Sequence, residues 1–317
     1  MLENAIKGFY KQLELDPEVK NREKLEKRDE FIVAGMGGSH LGADLIACAD
    51  HTIPLKIHHD YNLPERLTNE LLIASSYSGN TEEAISALDF ANKNNTPSAA
   101  ISVGGKLLEL AESKGVPYIK IPDTGIQPRS AVGFSVIGTL ALMNKMDEIN
   151  SLKSMGSKNA EERRVEANTV AEALKNKIPV IYSSTRNEAV AANWKIRINE
   201  TGKIPSFWNT IPEANHNELI GFEKHKETSN FADIFGFIFL KDSEDHPRIH
   251  KRMEIQKNMY EEWGYKVQIV ELTGKNRWEK ILSSIVMADW TAYHISETYG
   301  LEPEEVETVE RFKKLLG

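Results

Sequence analysis

Two hydroxyl- and glycine-rich segments stand out as places where chemistry could occur. The first is Gly35-Met36-Gly37-Gly38-Ser39, directly after the apolar run Phe31-Ile32-Val33-Ala34 and before a helical segment. Glycines let backbone N–H groups approach a ligand closely, and a helix N-terminus adds partial positive charge, so the pair favours an anion such as phosphate. The segment is not the dinucleotide fingerprint, because the sixth position from Gly35 is His40; it also lacks the Gly-Lys-Ser/Thr end of the nucleotide loop. Its plain alternative is a tight strand-to-helix turn. The second segment, Ser75-Ser76-Tyr77-Ser78-Gly79-Asn80-Thr81, again follows an apolar run and precedes a helix. The hydroxyls of Ser76, Ser78 and Thr81 can converge with N-terminal amides on one phosphate. A Ser/Thr/Asn helix cap would use the same residues. Glu82 and Glu83 would repel a phosphate unless they point away. Two such loops on one sheet favour the phosphate reading, since open α/β sheets bind ligands at the carboxyl ends of their strands.

These loops need a sheet to hold them. The expected strands are 31–34, 54–57, 71–75, 98–103 and 117–121, with helices at about 41–49, 82–93 and 107–114 between them and a core helix at about 132–143. Residues 2–28 read as a charged amphipathic helical arm. A polar stretch at about 150–162 reads as a linker. The pattern then restarts with a helix to about 176, a strand at 178–183, a helix at 187–199, strands at 231–240 and 265–270, and a long helix at 277–299. The expected class is α/β, with two doubly wound domains (1–150 and 151–317), each with a mostly parallel central sheet flanked by helices. The two halves could be two copies of one architecture, although identity between them is too weak to establish a repeat from the letters alone.

Composition excludes several functions. Apolar residues make up 40% of the 317, enough for a sizeable core, and the formal net charge of −8 argues against a generally basic nucleic-acid binder. A single cysteine, Cys48, excludes an intrachain disulfide and cysteine-rich metal centres. The charged N-terminus lacks the apolar core of a signal peptide, and 132–143 is too short to span a membrane. The expectation is a cytoplasmic protein with no membrane or nucleic-acid partner.

Gly37-Gly38-Ser39 followed by the hexapeptide Ser76-Tyr77-Ser78-Gly79-Asn80-Thr81 resembles the phosphosugar-binding loops of the sugar isomerase (SIS) superfamily. Pro128-Arg129-Ser130-Ala131, Asn199-Glu200, the segment 212–218 with His216 sixteen positions after Glu200, and Glu302-Pro303 followed by Val306, Val309, Phe312 and Lys313 narrow the resemblance to the bifunctional phosphoglucose/phosphomannose isomerases. It runs from about residue 30 to the end. His40 departs from the family's small residue, Glu302 from its Asp, and Lys314 stands beside Lys313. The resemblance implies two SIS domains, the first carrying the phosphosugar loops and the second the catalytic groups. The substrate-binding residues would be Gly37, Gly38, Ser39, Ser76, Ser78 and Thr81.

The implied reaction interconverts glucose 6-phosphate, and mannose 6-phosphate, with fructose 6-phosphate. The ring opens, a base takes the C2 proton, and a cis-enediol or enediolate receives a proton at C1. Such chemistry needs no cofactor or metal. Glu200, at a helix end before Thr201-Gly202, suits the base, though a C-terminal surface glutamate looks the same in sequence. His216, between two asparagines in a proline-containing loop, has the right intrinsic pKa for ring opening; a loop histidine with structural bonds is the plain alternative. By resemblance, His216 enters the active site from the partner subunit of a homodimer, Lys313 is a second ring-opening group, and Arg129 holds the enediolate. Unaided, Lys313 reads as a solvated lysine and Arg129 as a surface arginine.

The competing function is a noncatalytic SIS-type phosphosugar-binding regulatory protein. It would need the 76–81 loop but not Glu200, His216 and Lys313 together. Single-domain SIS isomerases of other sugar phosphates fit a chain of this length less well. Other features read as bland. His58-His59-Asp60 would face alternate sides of a strand and share no metal. His246, Pro247 and His250 read as a solvated loop. Asp289, Trp290, Tyr293 and His294 read as packing and caps.

Overall fold

The computed structural model describes residues 1–316 except 65, 66 and 68. In chain order the elements are α1 (Leu2–Lys7), β1 (Val19–Lys20), β2 (Glu30–Ala34), α2 (Leu41–Ala49), β3 (Leu55–His58), β4 (Glu70–Ser75), α3 (Glu82–Lys93), β5 (Ser98–Ser102), α4 (Gly105–Lys114), β6 (Tyr118–Lys120), α5 (Val132–Leu142) and α6 (Met146–Lys153). There follow α7 (Arg164–Ala173), β7 (Ile178–Ser184), α8 (Glu188–Glu200), β8 (Phe207–Ile211), α9 (Ala214–Phe222), α10 (Ser229–Ala232), β9 (Phe235–Asp242), α11 (Pro247–Glu262), β10 (Lys266–Leu272), α12 (Arg277–Tyr299) and α13 (Glu307–Leu316). The chain forms two compact units: Lys7–Asn159, and Ala160–Gly317 together with Met1–Ile6. The division lies within the polar stretch 150–162, into which α6 extends.

In the Lys7–Asn159 unit the sheet order is β1-β6-β5-β4-β2-β3, parallel except for the short edge strand β1. Val33 of β2 lies between Ile73 of β4 and Ile57 of β3. Strand β4 is buried along its whole length, as expected of a parallel strand covered on both faces. Helices α2 and α5 pack on each other, as do α3 and α4. Helix α3 shows why these segments are helical. Ala84, Ala87, Leu88 and Ala91 form one buried stripe at helical spacing, Glu82 and Glu83 lie in the first turn, and Lys93 in the last.

The other unit has the order β10-β9-β7-β8, with every pairing parallel. This repeats the arrangement β5-β4-β2-β3: the first strand is central, the second lies on one side, and the third and fourth on the other. The repeat is thus plain in topology where the letters do not declare it. Its core includes Tyr182, Phe237, Phe239 and Tyr260, and helix α12 is buried over most of its length. Asn276 Oδ1 accepts the Glu279 N–H at 2.9 Å and caps that helix.

Three expectations need correction. Residues 2–28 are not a helical arm: α1 ends at Lys7, and 3-10 turns at Phe9–Glu14 and Arg22–Lys24 flank β1. Phe9, Tyr10, Gln12 and Leu13 are buried, so packing rather than helical propensity shapes this segment. The expected strand at 231–240 begins only at Phe235, because Ser229–Ala232 is a helical turn that leaves Phe231 exposed. Finally, His246, Pro247 and His250 start α11 rather than lying in a loop. His246 Nδ1 accepts the Arg248 N–H, and Pro247 takes the first helical position, where its missing N–H costs nothing.

Candidate functional site

The two loops of the Lys7–Asn159 unit sit at the carboxyl ends of β2 and β4, neighbours on either side of the point where strand order reverses. They are stitched together. Ser75 Oγ donates to the Ser39 carbonyl at 2.7 Å, and the Tyr77 N–H donates to Ser39 Oγ at 2.9 Å. Ser76 is fully buried and works within its own loop: its hydroxyl donates to Thr81 Oγ1 at 2.8 Å and accepts the Gly79 N–H at 3.0 Å. Ser78 is exposed, with Oγ accepting the Asn80 N–H at 3.3 Å.

Gly79 has φ +73°, and a Cβ there would lie 1.7 Å from the Gly104 carbonyl oxygen. Only glycine fits. The Thr81 side chain does not cap α3, so the first amides of that helix keep their free donors and partial positive charge. Tyr61 Oη donates to a Glu82 carboxylate oxygen at 3.1 Å and so engages one of the two first-turn carboxylates. This constellation can hold an anion on neutral donors and a helix dipole.

Arg129 lies in the 3-10 turn Pro128–Ser130 and is 1% exposed. It is therefore a buried cation rather than a surface arginine. The turn presses on the first loop: a Cβ on Gly38 would lie 2.6 Å from Arg129 N. The position of the turn is set from the N-terminal segment. Gln12, 4% exposed, donates to the Ser130 carbonyl at 2.7 Å and accepts the Gly133 N–H at 3.0 Å. Nothing in the sequence signals this link, because Gln12 and Ser130 are distant along the chain. A narrow cavity lined by Gly38, Ser39, Ser75, Tyr77, Pro128 and Ser135 marks where the two loops and this turn meet. His40, after the first loop, has Nδ1 2.5 Å from Asp44 Oδ2, and its ring lies against His59 with centroids 4.3 Å apart.

Glu200, His216 and Lys313 lie in the other unit on α8, α9 and α13. Glu200 is the last residue of α8 and half-buried. The turn that bears it is clamped from behind. Arg197 Nε donates to Asp289 Oδ1 at 2.7 Å, and its Nη1 donates to Asn193 Oδ1 at 2.7 Å, all buried. Ser206 Oγ donates to Asn199 Oδ1 at 2.7 Å on the other side. Asp289 is therefore more than packing: it is the counter-ion of the arginine one turn before Glu200.

His216 is not in a loop. It lies in the first turn of α9, exposed, and its imidazole makes no hydrogen bond or ion pair among the described residues. Lys313 is exposed on α13, with Nζ 2.8 Å from Glu310 Oε1 in a pair along the helix. No helix among the described residues is long and apolar enough to cross a membrane.

Comparison with known proteins gives the lineage. Residues 163–316 match the family described as the bacterial phospho-glucose isomerase C-terminal SIS domain. A bifunctional phosphoglucose/phosphomannose isomerase of Caldicellulosiruptor bescii is 33% identical over 99% of this chain and 97% of that protein. A protein of the same description from Aquifex aeolicus is 30% identical over 98% of this chain and 97% of its own. Among solved structures, a putative phosphosugar isomerase from Clostridium difficile superposes with a TM-score of 0.71 at 13% identity, covering 100% of this chain and 98% of that one. That likeness concerns the fold. With such identity sustained along almost the whole of both sequences, the chain belongs to the family of bifunctional phosphoglucose/phosphomannose isomerases.

Proposed function

We propose that the protein is an aldose–ketose isomerase that interconverts glucose 6-phosphate and mannose 6-phosphate with fructose 6-phosphate. The observation that carries this reading is the stitched pair of loops beside an uncapped helix N-terminus, in a chain whose relatives are named for this activity. The phosphate would bind to Ser78, Thr81 and the first amides of α3, with Gly37, Gly38 and Ser39 against the sugar. Ser76 would contribute by shaping the loop.

Glu200 would take the C2 proton from the open-chain aldose, leaving the electron pair in a cis-enediolate; a proton then passes from the C2 hydroxyl to O1, and the Glu200 carboxyl returns its proton to C1 as the C2 carbonyl forms. The Arg129 guanidinium, kept dry by burial, would balance the oxyanion. Ring opening needs a proton delivered to the ring oxygen and another removed from the anomeric hydroxyl; His216 and Lys313 would serve there. The exposure of His216 supports a homodimer in which it works on the partner's substrate. The single cysteine, Cys48, is buried, which suits a reducing cytoplasm.

A coupled assay on the purified protein with glucose 6-phosphate and with mannose 6-phosphate, before and after chelator treatment, tests the reading. Turnover of both sugars, unchanged by chelator, is the expected result. Tight binding of the sugar phosphates without turnover would instead support the noncatalytic phosphosugar-binding alternative.

A further inference from the structure

Helix α9 is attached to its unit by two different means. Near its end, Phe222 inserts into the aromatic core, its ring 4.9 Å from Phe237 and 5.8 Å from Tyr260. Its first turns bury only Ala214 and are tied by polar bonds. The Glu218 carboxylate accepts the Tyr182 hydroxyl at 2.5 Å on one oxygen and Asn209 Nδ2 at 2.5 Å on the other. Asn215 Nδ2 donates to Gln256 Oε1 at 2.8 Å, and Gln256 Nε2 donates to Tyr260 Oη at 3.0 Å. Tyr182, Tyr260 and Gln256 are buried, so these bonds fix α9 to the rigid strand β7 and to α11. Burial holds the Tyr182 hydroxyl far above its ordinary pKa and so keeps it a donor.

His216 is two residues from Glu218, about 200° around the helix. Glu218 faces the core while His216 faces out. Any twist or tilt of the first turns of α9 that Glu218 permits therefore swings the imidazole through space, while Phe222 holds the far end of the helix. We infer that Glu218, held by Tyr182 and Asn209, is a positioning residue that sets where His216 presents its imidazole for ring opening. The inference rests on the isomerase reading above.

The test is a double-mutant cycle with steady-state kinetics on glucose 6-phosphate and a thermal melt of each variant. Tyr182→Phe removes one bond to Glu218. Asn209→Ala removes the other at a half-buried position on an edge strand, so its fold is not in question. Each variant should lower kcat on the order of 10- to 100-fold, as misplacement by about 1 Å does, with KM unchanged. Glu218→Gln keeps an acceptor for Tyr182 but turns an amide NH2 toward Asn209 Nδ2, so it should lower kcat about as much as Asn209→Ala does. In a His216→Ala background neither substitution should cost anything further, because the residue they position is gone. Wild-type kcat in Asn209→Ala, or losses that add to that of His216→Ala, would overturn the inference while leaving the isomerase reading intact. A wild-type protein that turns over neither sugar overturns that reading, and the role for Glu218 with it.

Discussion

Ser39 Oγ lies 2.9 Å from the Tyr77 backbone nitrogen and accepts its N–H, which makes the first loop a strut for the second. Replacing Ser39 by Ala removes that acceptor and should cost about 1 kcal/mol of stability. More tellingly, KM for glucose 6-phosphate should rise several-fold as the second loop loosens. Kinetics and a melt on Ser39→Ala check this; an unchanged KM would mean the loops hold their shape independently.

Gly79 offers a sharper test of the same loop. A side chain there meets the Gly104 carbonyl at 1.7 Å, and its positive φ alone disfavours Ala by about 1–2 kcal/mol. The loop must move in Gly79→Ala. Titration calorimetry with glucose 6-phosphate should then show affinity lost while the protein still melts cooperatively. Native affinity would remove this loop from the phosphate site.

Much of this architecture is legible in the sequence, and the exceptions share a cause. Helices α3 and α12 could be read to the residue, since apolar spacing and terminal signals agree: Thr81-Glu82-Glu83 at one start, Asn276 with Glu279 at the other. The loops could be read because glycine and hydroxyl residues follow buried strands directly. Residues 2–28 are not legible as they fold, because Leu13 and Val19 serve a 3-10 turn and an edge strand, whose partners lie a hundred or more residues away at Ser130 and Ile119. His216 reads as a loop residue in the sequence because Pro212 stands just before the turn that starts α9. The ties of Gln12, Arg197 and Glu218 are long-range polar contacts, and no local pattern encodes those.

The buried ion pair between Arg197 and Asp289 gives a stability prediction. Asp289→Asn removes the carboxylate charge that faces the wholly buried guanidinium. Urea denaturation should report a loss of about 3–5 kcal/mol. Replacing both residues by apolar ones of similar volume should recover most of it. A single-variant loss below about 1 kcal/mol would mean that neighbouring groups already neutralise Arg197.

A second ionic cluster predicts a pH dependence. Burial alone would push the Asp242 carboxyl up, but hydrogen bonds from Lys280 and the Glu244 N–H, with the charges of Lys280 and Arg277, hold it below the ordinary range. Glu244 is lowered by hydrogen bonds from Lys280 and Arg186. Asp245 is raised, chiefly by burial, and works in the opposite sense. For Asp242 and Glu244 the stabilisation is complete above their unfolded values and disappears as pH falls through the lowered folded ones, below about 4. Lys280→Met should therefore move the onset of acid unfolding to higher pH. An unchanged acid limb would show that Lys280 does not hold these carboxyls.

In the proposed reaction one carboxylate carries the proton between adjacent sugar carbons. Turnover and binding of glucose 6-phosphate by Glu200→Gln test it most directly, since the amide keeps the shape and loses the base. Isomerisation should fall below detection while affinity stays close to that of the unaltered protein. Isomerisation at the unaltered rate would contradict it.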